Sequence, residues 1–471
     1  MRVRIDMTSG PPLRRMLSFC APMLVGSVLM QLSNLVDSLI VSRAAGISAF
    51  AGIAAAAPVA FLATGFLMGF CNGFLIPIAL HVGAGDRDGA DRFSAAALLL
   101  TGGMALLVAV PSAALTDQLI ALAGTPGDIA PEARDYLRVV LMGMPVPLLS
   151  MALWGILRAE GDTRTPFRYQ MLGAAMHLAL DVVLIAGLRM GAGGAACASL
   201  IAHAIASGLC LRRLVRGHPA IFRLLRFGVR PEMMRKMLLL GAPIGLTNLL
   251  ASAGSTAFQF AVNSLGSSAV TAVAASDRLL SLAVMPAMML GGVIEVFSGQ
   301  NFGANRPDRI RIGVKRLYLL LVSFLVPAML LIVAGSRAFV PLLIGRAAPD
   351  LTDLARRYML WCALFMPLQC LNVLLKNVLQ GIGLPQRAVV ASVYDLVARL
   401  LCAMFGTAQL GFLAVCAVNP AAWALSALAL IVPCRAIFSG AARRGGGTSA
   451  VVRGTRKAGP LSGVARGMWD A

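Results

Sequence analysis

Apolar stretches of about twenty residues recur along the whole chain, each long enough to cross roughly 30 Å of hydrocarbon as a helix. Short segments carrying most of the charge separate them. Inside lipid the peptide groups must bond within the spanning structure, which leaves helices or the strands of a closed barrel. The run from Leu317 to Leu331, LYLLLVSFLVPAMLL, shows no period-two alternation, so the pattern predicts helices. Twelve spans are predicted, near 17–42, 48–80, 93–120, 136–158, 167–188, 192–213, 237–264, 268–300, 317–344, 357–380, 388–408 and 411–434. Composition agrees: 58% of the 471 residues are hydrophobic and 13% charged, too little charge for the surface of a soluble chain.

The net charge of +21 raises the question of nucleic acid, but the basic residues sit in short segments between apolar runs. Of the 41 Lys and Arg, 30 fall on the side that holds both termini, 8 on the other and 3 within spans. That bias puts both termini in the cytoplasm and reads as a multi-pass protein of the plasma membrane, with the lipid bilayer as partner and no nucleic acid. The nine cysteines lie mostly in apolar runs without a CxxC pair and are read as small packing residues, not metal ligands. The first apolar run is too long for a cleavable signal peptide.

The chain also repeats itself. Ala21-Pro22 matches Ala242-Pro243, Gly83-Ala84-Gly85 matches Gly303-Ala304-Asn305, and Leu157 with Gly161 matches Leu379 with Gly383. These offsets of 221, 220 and 222 are nearly constant. Six spans is an even number, so both halves enter from the same side and the repeats are parallel. The predicted organisation is a cytoplasmic N-terminus (1–16), an N-lobe of six helices (17–213), a basic linker (214–236), a C-lobe (237–434) and a basic, disordered tail (435–471). Within the linker Ile221, Leu224, Leu225 and Phe227 predict a short amphipathic helix on the cytoplasmic leaflet. Gly26, Gly46, Gly52, Gly65, Gly69, Gly291 and Gly292 permit close helix approach, and Pro22 and Pro243 predict kinks.

At these landmarks the chain resembles the multidrug and toxic compound extrusion family, in the bacterial subgroup related to DNA-damage-inducible transporters. The resemblance rests on NLVDSLIVSRAAGISAFAGIAAAAP from Asn34, HVGAGDRDGADR from His81, LRAEGDTRTPF from Leu157 and GQNFGANRPDR from Gly299. It covers about residues 15–436. Another subgroup carries a glutamate in the seventh span. Here that stretch reads GLTNLLASAGSTAFQF without a carboxylate, which argues against a sodium site in the second lobe.

An acid kept at the bilayer centre costs about 2.5–3.5 kcal/mol, so intramembrane carboxylates are functional candidates. Asp37 lies in the first span, with Asn34 three residues earlier on the same face. Asp181 lies in the fifth span, one turn after His177. Ser199 is the hydroxyl of the sixth span nearest to matching depth. The resemblance implies that Asp37, His177, Asp181 and Ser199 converge in the N-lobe as the coupling site. His177 stands where the family usually has asparagine, and a histidine can itself hold or relay a proton. Two carboxylates in one dry pocket cannot both ionise cheaply, so the pair should share one proton. Sodium would replace that proton at the same oxygens. At the repeat offset Asp37 corresponds to Phe258 or Gln259, Asp181 to Ala403 and His177 to Arg399, so no equivalent acid pair exists in the second half. In that half Asp395 and Arg399 read as a neutralised pair one turn apart, and Glu295 either lines a cavity or pairs with Arg278 or Lys376.

The expected protein is a monomeric, all-α antiporter of twelve transmembrane helices, coupled to protons or sodium and needing no cofactor. It would export amphipathic, often cationic, small organic compounds through a cavity between its lobes. The alternative is a flippase for a lipid-linked saccharide, from a related family, which would need more intramembrane cations than Arg278, Lys376 and Arg399. An enzyme is disfavoured: the chain has no HExxH, no Walker loop, and four histidines spread along the sequence. Reporters fused after Arg92, Glu232 or Arg443 should read cytoplasmic and one near Asp128 external; two contrary readings would break the twelve-span topology.

Overall fold

The computed structural model describes residues 5–122, 127, 129–227, 229–344 and 349–438. Of the tail predicted to be disordered (435–471), residues 435–438 complete the last helix, where the apolar run of that span carries the winding on, and the rest lies outside the described residues. Twelve elements of membrane length follow one another: α1 (Pro12–Ile40), α2 (Ile47–Gly83), α3 (Arg87–Ala114), α4 (Ala130–Gly143 continued by Pro145–Ala159), α5 (Arg164–Asp181) and α6 (Gly191–Gly217). Then come α7 (Pro231–Asn263), α8 (Ser267–Gly303), α9 (Pro307–Ala334), α10 (Pro349–Gly381), α11 (Pro385–Leu401) and α12 (Phe412–Phe438). Among the described residues, eleven spans are single helices long and apolar enough to cross a membrane, and α4 is the twelfth if its halves count as one. Those halves meet at a 46° bend between Gly143 and Pro145, where proline supplies no N–H to continue the ladder. Among the described residues there is no strand. Large apolar side chains such as Leu107, Phe260, Leu331 and Met404 are mostly exposed on these helices, as a lipid-facing surface requires.

The chain separates into two compact units, one holding Leu17–Val82 and Asp86–Gly245, the other Leu246 onward with Met7–Met16 and Gly83–Gly85. The internal repeat is visible in the backbone. α2 and α8 both have 37 residues, and α3 and α9 both have 28. Left-handed backbone recurs at matched positions: Gly46 and Gly266, Gly85 and Asn305, Gly161 and Gly383, Gly191 and Gly411. Seven of these eight are glycine, the residue that adopts positive φ without a Cβ clash, and the eighth is asparagine, the usual substitute.

Inside the first unit α6 packs against α4 and α5, and α3 against α4. Gly73 of α2 lies directly against the backbone of Gly241 in α7, and a Cβ on Gly241 would come within 3.0 Å of both Phe70 and Phe74. In the second unit α10 packs against α8, α9 and α12. There Gly291 of α8 meets Asn377 and Val373 of α10. Of the other glycines expected at helix contacts, Gly52 abuts Glu132 and Ala133, whereas Gly46 and Gly292 have no neighbour for a Cβ to touch. Gly46 instead serves a turn, with φ of 94°. Seven of the nine free cysteines are buried as packing residues.

The linker is helical over Pro219–Phe227. Its Ile221 is fully buried and Leu224 and Leu225 pack on the same core, together with Leu214, Phe93 and Met237. Its apolar face therefore closes the first unit, where the sequence pattern had placed it against lipid. Next to it His218 joins three helices: its Nδ1 lies 2.7 Å from Asp91 Oδ1 of α3, and its Nε2 lies 3.1 Å from Glu160 Oε2 at the end of α4. Hydrogen bonds to the two carboxylates push its pKa up from 6.5 to about 9. The folded value is the higher one, so this stabilisation is complete below pH 6.5 and lost as the pH rises through about 9. His218→Gln should cost on the order of 2 kcal/mol at neutral pH. A thiol-reactive dye, reporting on the buried cysteines, should show the gap in unfolding temperature between wild type and variant closing above about pH 9; a gap independent of pH would refute the clamp.

Candidate functional site

Two of the intramembrane acids stand close to the ends of their α-helices, each ahead of a π-helical turn. α1 passes three residues beyond Asp37 into a π-helical segment, Val41–Ala45, and α5 ends at Asp181 where a second one, Val182–Gly187, begins. The wider π turn is uncommon and recurs at functional positions, and here each one is the last turn of its helix, before the turns at Gly46 and Leu188. These two segments pack on one another, with Val41 and Ile185 fully buried beside Ala49 and Ala192. α6 then starts at Gly191, and Glu132 Oε2 accepts a 2.9 Å hydrogen bond from the Ala192 N–H. That carboxylate satisfies one of the open donors at the helix start.

This framework brings Asp37, His177 and Asp181 together. One polar side-chain atom from each lies within 4.8 Å of the others, and His177 Nε2 stands 3.6 Å from Asp181 Oδ1. Asp181 is fully buried. Among the described residues no donor is bonded to Asp37 Oδ1 or to either oxygen of Asp181, although all three atoms are inaccessible to solvent. A buried carboxylate without donors is expensive, and two side by side are more so. A proton shared between them, or a cation bound at their oxygens, relieves both costs.

The other predicted members are arranged differently. Asn34 lines a small cavity of about 40 Å³ that also includes His177, but its Nδ2 donates to Gln31 Oε1 at 3.4 Å and not to Asp37. Ser199 takes part through its carbonyl, which lies 2.9 Å from His203 Nδ1; its hydroxyl is not bonded to any described group. Pro22 sits inside α1, which stays helical on either side of it, and cannot donate to the Ser18 carbonyl. His203 was missed. It lines the cavity with His177, Trp154 and Gln170, and its ring lies 6.2 Å from that of Trp154. Two of the four histidines thus share one cavity despite their separation in sequence. The signal was available, since His203 follows Ser199 by four residues on the same helical face.

The second unit holds a polar chain of another kind. Arg399 Nε donates to Asp395 Oδ2 at 2.8 Å, and its Nη1 donates to Asn419 Oδ1 at 2.8 Å. Asn419 Nδ2 donates to the Tyr358 oxygen, and the Tyr358 hydroxyl donates to Asp277 Oδ1 at 3.0 Å. Each of these charges has a partner, unlike Asp37 Oδ1 and the two oxygens of Asp181. Tyr358 and Asn419 lack formal charge, which is why the sequence did not draw attention to them. Glu295 is half-buried in α8, where Gly381 of α10 packs on its backbone.

The MatE family model matches residues 22–183 and 243–405, one copy in each half. A probable multidrug resistance protein of Bacillus subtilis, YpnP, is 25% identical over 378 residues, 80% of this chain and 84% of its own. A protein of Shewanella oneidensis named as an FAD transporter is 28% identical over 69% of this chain and 72% of its own length. Among solved structures, a MATE crystallised in its straight conformation has a TM-score of 0.81 and 21% identity, covering 94% of this chain and all of that one. With both halves matched at the repeat spacing, the chain is a multi-pass membrane protein and no enzyme: it belongs to the MatE family of multidrug efflux transporters.

Proposed function

We propose that the chain is a proton-coupled antiporter that exports amphipathic, often cationic, organic compounds, with the Asp37–Asp181 pair as the proton-binding site. The observation that carries this reading is the pair itself, Asp181 buried and Asp37 half-buried, with three inaccessible carboxylate oxygens that no donor in the described chain satisfies. A proton closes that deficit with a single shared hydrogen bond. Sodium, a hard cation, prefers a shell of oxygens, and His177 Nε2 beside Asp181 offers nitrogen instead. His177 would relay the proton between the pair and the small cavity that it lines with His203. The protein would act as a monomer in the cytoplasmic membrane, with both termini in the cytoplasm and lobes near 17–213 and 237–434. Relatives differ in the cargo their names give, so the substrate class rests on the negative charge of the site. The saccharide-flippase alternative gains no support from the family match.

Antiport requires that proton and substrate exclude one another, and that each binds one state of the transporter better than the other. Losing the titrating group should uncouple transport and leave the fold intact. Asp37→Asn and Asp181→Asn are each expected to insert at parental abundance and to lower efflux from proteoliposomes driven by a pH gradient by at least about tenfold. Asp395→Asn should instead reduce abundance, since it strips Arg399 of its carboxylate, with little change in efflux per folded molecule. Imposing the pH gradient and a sodium gradient separately checks the ion. Efflux by Asp37→Asn at the parental rate would remove the site, and efflux driven by sodium alone would remove the proton.

A further inference from the structure

A second cavity, of about 550 Å³, opens at the other end of α5 and α6, clear of the acid pair. Its walls carry Arg164 and Arg168 from the first turns of α5, Arg212, Arg213 and Arg216 from the last turns of α6, and a single acid, Asp162. The acid is already engaged: Asp162 Oδ1 accepts from the Thr165 N–H at 3.0 Å and Oδ2 from the Thr165 hydroxyl at 2.6 Å. None of the five arginines makes a hydrogen bond or an ion pair to a described residue through its side chain, and all five are exposed. His218 closes the wall, but both of its ring nitrogens are taken up by Asp91 and Glu160.

The excess of basic residues near helix ends has an ordinary explanation in membrane topology, which scatters them over the cytoplasmic side. The internal repeat tests that explanation. At the offset of 222 that relates Gly161 to Gly383, Arg164 and Arg168 correspond to Gln386 and Val390. At the offset of 220 that relates Gly191 to Gly411, the three arginines of α6 correspond to Val432, Pro433 and Ala436. The second half has the same helix ends with two arginines, Arg387 and Arg435, where the first half has five. Topology alone therefore does not call for five guanidiniums around one cavity.

Like charges gathered without counter-ions repel, and an anion within their reach removes that cost. A guanidinium presents a planar fork of N–H donors that matches two phosphate oxygens at once. The volume falls in the range of small-molecule sites, and Leu157, Leu209 and Tyr169 add an apolar side suited to a glycerol or sugar. We propose that this cavity binds a phosphate-bearing anion. Two sources share that chemistry: the headgroup of an acidic phospholipid in the cytoplasmic leaflet, where basic pockets between spanning helices meet such groups, and a soluble phosphate of the cytosol.

The test uses the full chain, purified in detergent and stripped of lipid. Unfolding temperature is followed during titration with phosphatidylglycerol, with phosphatidylcholine, and with inorganic phosphate against chloride at equal ionic strength. Native mass spectrometry counts the phosphatidylglycerol molecules retained. Arg168→Gln/Arg212→Gln is compared with Arg337→Gln/Arg356→Gln, which removes the same charge from exposed positions elsewhere. Phosphatidylglycerol should stabilise the wild type and the control pair, with affinity at least about tenfold weaker in the cavity pair. A response to phosphatidylglycerol alone assigns the site to lipid, and a response to inorganic phosphate as well assigns it to soluble phosphates. The proposal fails if neither stabilises the wild type beyond phosphatidylcholine or chloride. It fails equally if the cavity pair binds as the control pair does.

Discussion

Hydrocarbon offers the backbone no hydrogen-bond partner, and everything in this molecule is arranged around that fact. Each span must be a helix that satisfies its own peptide groups, so helices meet through side chains or, where they must come closer, through glycine. The approach of Gly73 to Gly241 and the packing of Gly291 on α10 follow from it. The same constraint makes polar side chains conspicuous. A serine or threonine in a span can return its hydroxyl to a carbonyl one turn back, as Ser94, Ser276 and Ser392 do. A carboxylate, having only acceptors, has no such exit when ionised.

The two halves illustrate how one backbone plan takes up different chemistry. Their second and third helices agree in length and their left-handed turns coincide, yet the first half leaves Asp37 Oδ1 and both oxygens of Asp181 without donors while the second bonds Asp395, Arg399, Asn419, Tyr358 and Asp277 into a chain. A network in which every member is satisfied gains rigidity and has little to gain from a passing ion. An unsatisfied pair has the opposite character, since its energy falls when something binds.

Much of the fold was legible because its causes are one-dimensional. Span length, loop charge and the period of the repeat can each be counted along the chain, and the twelve elements and their duplication emerged from that count. The convergence of Asp37, His177 and Asp181 was legible in part, through the cost of charge in lipid and through family resemblance. What escaped depended on the third dimension. Nothing local in the sequence says that Asn34 prefers Gln31, since Gln31 and Asp37 lie three residues to either side of it. His203 and Trp154 come from different helices, and their meeting follows from how α4 and α6 pack. The linker's apolar stripe was visible, but hydrophobicity does not distinguish a lipid neighbour from Leu214 or Phe93.

The π-helical segments beside Asp37 and Asp181 have a mechanical implication. A π turn that ends an α-helix is a defect in its winding, wider than the coils before it and anchored on one side only. Rewinding such a defect as an ordinary α turn swings the side chains beside it to a new bearing while the rest of the helix keeps its place. Both acids stand next to a defect, and the two defects lean on each other. A displacement in one would be felt by the other, so the carboxylates could be turned together, or apart, by a rearrangement no larger than a single turn.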